Sequence, residues 1–142
     1  MTIKPPNYTL LDHTADLGIK VYGTDIKHLF ENACNSLTDL FLHIESFGSS
    51  TSVQVTVESE DLEDLMVRWL GEILYLFEGE NTIVISSKIS KICQKHLKAT
   101  LETITFDPMI HEIIREIKAV TYHNIQVTEK NGTWEASIIF DL

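Results

Sequence analysis

An α+β fold, with two helices packed on a mostly antiparallel β-sheet, is what this sequence predicts. Two stretches space their apolar residues at helical intervals, and the second half of the chain alternates with the period of strands. An Asn-Gly pair between the last two alternating runs adds a strong hairpin signal. The 142 residues contain no internal repeat, low-complexity tract or linker, so residues 1–142 are read as one domain, large enough to bury a real core.

In chain order, "YTLLDHTADLGIKVYG" reads as one or two short strands interrupted by a polar cluster and ending at Gly23. "TDIKHLFENACNSLTDLFLHI" follows, with apolar residues at 26, 29, 30, 33, 37, 40 and 41 on one helical face and Thr24 or Asp25 as cap. "SFGSSTS" is a loop, and the β-branched alternation of "VQVTV" is a strand. The second helix is "SEDLEDLMVRWLGEILYLFEGE", starting at Ser59 or Glu60, with acidic residues in the first turn where the helix dipole favours them. Its apolar positions 62, 65, 66, 69, 70, 73, 74 and 77 form a stripe suited to packing on a sheet. Gly71 within that stripe costs about 1 kcal/mol against Ala and is expected to mark a close approach by a strand or a partner.

Beyond it, "NTIVISSKISKI", "KHLKATLETITF", "REIKAVTYHNIQVTEK" and "TWEASIIF" are β-rich, and Asp107-Pro108 predicts a turn in the irregular "DPMIHEII". Trp69, Tyr75 and Phe77 are expected in the core and the helix–sheet packing.

Charge narrows the partners. Eleven basic against 21 acidic side chains give a formal net charge of -10. Tight nucleic-acid binding needs Lys and Arg to displace counterions from phosphates, so it is not expected. Basic protein surfaces or bound cations fit better. No apolar run approaches the roughly 20 residues that span a bilayer, and "MTIKPPNYTL" lacks the pattern of a secretory leader. A cytoplasmic location without membrane contact follows as the expectation, with Cys34 and Cys93 as two buried free thiols.

Chemistry concentrates in three places. Asp12, His13 and Asp16 crowd a predicted turn; in a helical turn the two carboxylates lie one turn apart on the same side. Such a pair either shares a proton or holds a cation, and oxygen donors suit Ca²⁺, Mg²⁺ or Mn²⁺. The alternative is a capping Asp12 with a solvated Asp16, and spacing alone favours it. The chain ends directly after a strand, so Asp141 and the Leu142 α-carboxylate are either a frayed terminus or two more anchored oxygen donors. Lys118 opens the run "KAVTYHN", where alternation puts Lys118, Val120, Tyr122 and Asn124 on one face; a solvated edge lysine is the reading the sequence favours, against a counter-charge to the carboxylates or to another anionic group. The six histidines show no metal-ligand spacing, and no nucleophile motif or phosphate loop is present.

Taken together, "DHTADLGI", "LEDLMVRWLGEILY", "REIKAVTYHN" and "WEASIIFDL" resemble the archease family over nearly the whole chain, in the right order. The resemblance implies an accessory protein, not an enzyme, that activates the GTP-dependent RNA-splicing ligase in tRNA splicing and RNA repair. It would speed attachment of a guanylate to the ligase's active-site histidine and permit repeated turnover. It also implies a divalent cation, Ca²⁺ foremost, held by Asp16, Asp141 and Leu142, with Asp12 and His13 shaping the site and Lys118 needed for activation.

Two departures concern the partner surface. The family commonly has Asn at the position of Gly71, and a Gly-Glu pair opens the stretch before KAVTYH where this chain reads "ITFDPMIHEIIREIKAV". The competing readings are a chaperone-like modulator of a tRNA-modifying methyltransferase, also suggested for the family, and a metal-dependent phosphohydrolase with His13 as the base.

Overall fold

The computed structural model describes residues 8–11 and 16–142. Its strands are β1 (Tyr8–Leu11), β2 (Leu17–Gly23), β3 (Leu42–His43), β4 (Thr51–Glu58), β5 (Thr82–Cys93), β6 (His96–Thr105), β7 (Glu112–Ile113), β8 (Ala119–Val120), β9 (Gln126–Lys130) and β10 (Thr133–Asp141). The helices are α1 (Ile26–Phe41) and α2 (Leu62–Glu80). The α+β expectation is met, and the strand pairing among the described residues is antiparallel. The strands separate into three ladders. One runs β1-β2-β10-β8 with β9 also on β10, a second is β4-β6-β5, and a third pairs only β3 with β7.

Helix α1 begins where Asp25, in extended conformation, accepts the His28 N–H at 2.8 Å. Its predicted apolar face is the buried one, including Leu29, Phe30, Ala33, Leu37 and Leu40. The helix stops at Phe41, short of the expected end, because Leu42 and His43 turn extended and pair with Ile113 and Glu112. Helix α2 is capped by Asp61, not Ser59 or Glu60, with the Asp61 carboxylate accepting from the Asp64 N–H at 2.8 Å. Ser59 instead ties this entry to the β5–β6 turn, its N–H donating to the Lys95 carbonyl. Asn81 closes α2 in the left-handed conformation at φ 57°.

The helices share one apolar cluster with strands of both larger ladders. Trp69 is fully buried and donates its Nε1–H to the Phe30 carbonyl at 2.8 Å, so the two helices are joined by a satisfied polar contact inside the core. Phe77 stacks edge-on with Phe41 and Phe106, whereas Tyr75 is exposed, contrary to expectation. Cys34 is buried as expected, but Cys93 is exposed beside the β5–β6 turn. The close-approach glycine is Gly23: a Cβ there would lie 2.4 Å from the Leu29 backbone nitrogen. At Gly71 no described atom lies within 4 Å of that position. The Asn131-Gly132 hairpin has φ of 52° and 81°, as its sequence demands.

Candidate functional site

Phe140 holds the end of the chain. It is fully buried and sits opposite Leu17 in the β2–β10 ladder. Asp16 precedes Leu17 and Asp141 follows Phe140, so both stand just beyond that pair, at the same end of the sheet. On its other side Asp141 pairs with Ala119, and its carbonyl accepts the Lys118 N–H at 2.8 Å. Two residues back, the Ile139 carbonyl accepts both the Thr121 N–H at 3.0 Å and the Thr121 hydroxyl at 2.8 Å. Asp16 is half-buried, and Asp141 and Leu142 are exposed. The terminus is thus strand-bound up to Asp141, with its acidic side chain free to meet solvent or a ligand.

Lys118 joins this end through its main chain. The regular strand expected from Lys118 to Asn124 is only Ala119–Val120, because Thr121 folds back on Ile139 and Asn124 turns at φ 52°. Ladder alternation places Lys118 on the face of Val120, which packs on the core, and Asp141 on the opposite face from Phe140. Lys118 lines a cavity of about 480 Å³ together with Phe41, Leu74, Phe77, Glu78 and Glu116. Among the described residues Lys118 makes no ion pair.

The donor chemistry at this end suits a hard cation. Asp16 and Asp141 offer carboxylate oxygens, which Ca²⁺ and Mg²⁺ prefer. Among the described residues no group of three or more His, Cys, Asp or Glu side chains is placed to hold a metal ion. Asp12 and His13, expected to shape the site, lie outside the described residues.

A second polar cluster was not foreseen. Tyr122, in the KAVTYH run, donates its hydroxyl to Asp64 Oδ1 at 2.6 Å. Asp64 also accepts the Glu60 N–H at 2.9 Å and faces the Arg68 Nε at 2.9 Å. The Tyr122 hydroxyl, then the Glu60 N–H and Arg68, hold the Asp64 carboxyl below its ordinary range. This clamp fastens the turn after β8 to the start of α2. Its only sequence signal is that Tyr122 and Asp64 both fall within the stretches that carry the family resemblance.

The comparisons with known proteins agree with this architecture. Residues 8–142 match the model of the archease protein family. Protein archease of Methanosarcina mazei is 32% identical over 139 residues, covering 95% of each chain. The solution structure of Methanobacterium thermoautotrophicum protein 1598 superposes with a TM-score of 0.70 at 29% identity, over 96% of this chain and 99% of that one. A Thermotoga maritima crystal structure, described as an archease and possible chaperone, shares the fold with a TM-score of 0.65 at 21% identity, covering 100% of this chain and 99% of its own. The chain belongs to the archease family. Among the described residues, no helix is long and apolar enough to cross a membrane.

Proposed function

We propose that this protein is an activator of a GTP-dependent RNA-splicing ligase, acting through the sheet end where Asp16, Asp141 and Lys118 meet. The observation that supports the reading is that juxtaposition: Asp16, Asp141 and the Lys118 main chain, distant in sequence, stand at the one sheet end where β2 and β8 begin and β10 finishes. An acidic chain of net charge -10 suits a basic, RNA-handling partner and does not compete for its RNA. The Thermotoga maritima relative is described as a possible chaperone, which favours a protein partner over a small-molecule substrate.

Asp16, Asp141 and the Leu142 carboxylate are the groups proposed to hold a divalent cation, Ca²⁺ foremost. Bound there, the ion would supply positive charge at an otherwise acidic edge. The strand-bound terminus keeps Asp141 in register, and ladder alternation sets Lys118 on the opposite face. The test is guanylylation and turnover of the matched ligase with and without this chain. More guanylylated enzyme and more turnovers are expected. Asp16→Ala, Asp141→Ala and Lys118→Ala should each abolish the stimulation in folded protein, and no stimulation by the wild-type chain would remove the reading.

A further inference from the structure

The segment between β6 and β8 presents apolar side chains to solvent without covering them. Met109 is 88% exposed, Ile110 66%, Ile113 50% and Ile114 47%, within six consecutive residues. This is not a loose loop. The His111 N–H donates to the Asp107 carbonyl at 2.8 Å, and the Met109 N–H donates to Asp107 Oδ1 at 2.9 Å. The Ile114 N–H donates to the Phe41 carbonyl at 3.0 Å, and β7 is stitched to β3. A rigid hook that exposes four large apolar side chains leaves a patch that ordinary surfaces avoid.

At its centre His111 is 6% exposed and carries an unsatisfied group. Its Nδ1 accepts the Asp107 N–H at 2.9 Å, so in the neutral ring the proton sits on Nε2, and among the described residues Nε2 has no hydrogen-bond partner. Two cavities, of about 560 and 460 Å³, open on either side of His111, lined in part by Phe106, Pro108 and Ile110. Among the described residues neither is lined by any Lys or Arg; Glu45 and Glu112 line one, and Asp107 lines the other. The patch therefore pairs apolar anchors with a buried donor and an acidic rim.

We propose that the 106–114 hook is the surface by which this chain docks on its protein partner. The occupant is an extended partner segment that places apolar side chains over Ile110 and Ile113 and Lys or Arg against Glu45 and Glu112. The partner's identity rests on the activator reading above, and the hook supplies affinity while the sheet end supplies activation.

The experiment measures binding of the matched RNA ligase to wild type, to the double variant Ile110→Ser/Ile113→Ser, and to Asp141→Ala. Stimulation of ligation is titrated alongside. The double variant, its thermal transition unchanged because the replaced side chains are exposed, should bind at least tenfold more weakly. It should nevertheless reach full stimulation at saturating concentration. Asp141→Ala should bind normally and stimulate nothing. Oxidation of Met109 by mild peroxide should slow in the complex, and added salt should weaken binding by screening the rim charges.

Wild-type affinity in the double variant, or a wild-type dimer in sedimentation that the double variant breaks, overturns the assignment. A ligase that does not bind the wild-type chain removes the activator reading and this docking role with it.

Discussion

Asp64 shows how a single side chain couples two distant parts of this chain. Its carboxyl is depressed below 3.8 by the Tyr122 hydroxyl first, then by the Glu60 N–H and Arg68. A depressed carboxyl contributes stability that is present above its unfolded value and lost as pH falls through the lowered folded value. Tyr122→Phe removes the largest cause. It should therefore shift the acid limb of unfolding, followed by circular dichroism below about pH 4, to higher pH. The loss at neutral pH should be about 0.5–1 kcal/mol, since the pair is solvent-screened. An acid limb superimposable on wild type would show that the clamp carries no stability. Cys34 and Cys93 give a second contrast. Burial pushes the Cys34 thiol up to about 12, while Cys93 is exposed. A thiol reagent should label one cysteine quickly in native protein and two in denaturant. Two equally fast sites would contradict the burial of Cys34.

At the scale of elements, two glycines test the helix–strand packing in opposite directions. Gly23→Ala would put a Cβ 2.4 Å from the Leu29 backbone nitrogen, and backbone cannot move aside as a side-chain tip can. A loss of about 1–3 kcal/mol in chemical denaturation is expected, the usual cost of overpacking. Gly71→Ala meets no described atom within 4 Å, so the helix-propensity gain should appear undiminished as about 0.5–1 kcal/mol of added stability. If Gly71→Ala destabilises, some contact at that face is missing from this picture. The same comparison shows what periodicity makes legible. Helix faces, strand identities and the Asn131-Gly132 hairpin followed from local spacing and turn chemistry. The end of α1, the short β8 and the open surroundings of Gly71 did not. Leu42 leaves the helix because β7 is there to pair with it, and Lys118–Asn124 breaks because Ile139 offers its carbonyl to Thr121. Such choices depend on residues about 20 to 70 positions away.

At the scale of the molecule, the ladder places together what the sequence keeps apart. Asp16 and Asp141 are 125 positions apart, and no local period relates them; only the β2–β10 register puts them at one sheet end. The residues of the proposed site, and the expectation that they share one cation, came from the family resemblance; the β2–β10 register supplies the physical reason that Asp16 and Asp141 lie at one sheet end. That convergence has a thermodynamic consequence if a cation is held there. An ion that binds the folded chain alone stabilises it by linkage, by about 2.7 kcal/mol at a hundred times its dissociation constant. For a domain of this size that corresponds to roughly 5–10 °C in thermal midpoint. Ca²⁺ should therefore raise the midpoint, and a chelator should reverse the rise. Asp16→Asn and Asp141→Asn should each erase the shift, because a neutral amide donates less charge to the ion. Lys118→Ala should keep it, because ladder alternation directs that side chain to the face of Val120, away from Asp141. This separation distinguishes ion binding from activation, since Lys118→Ala is also expected to lose ligase stimulation. A midpoint indifferent to Ca²⁺, Mg²⁺ and Mn²⁺ would mean that Asp16 and Asp141 share a sheet end without holding an ion.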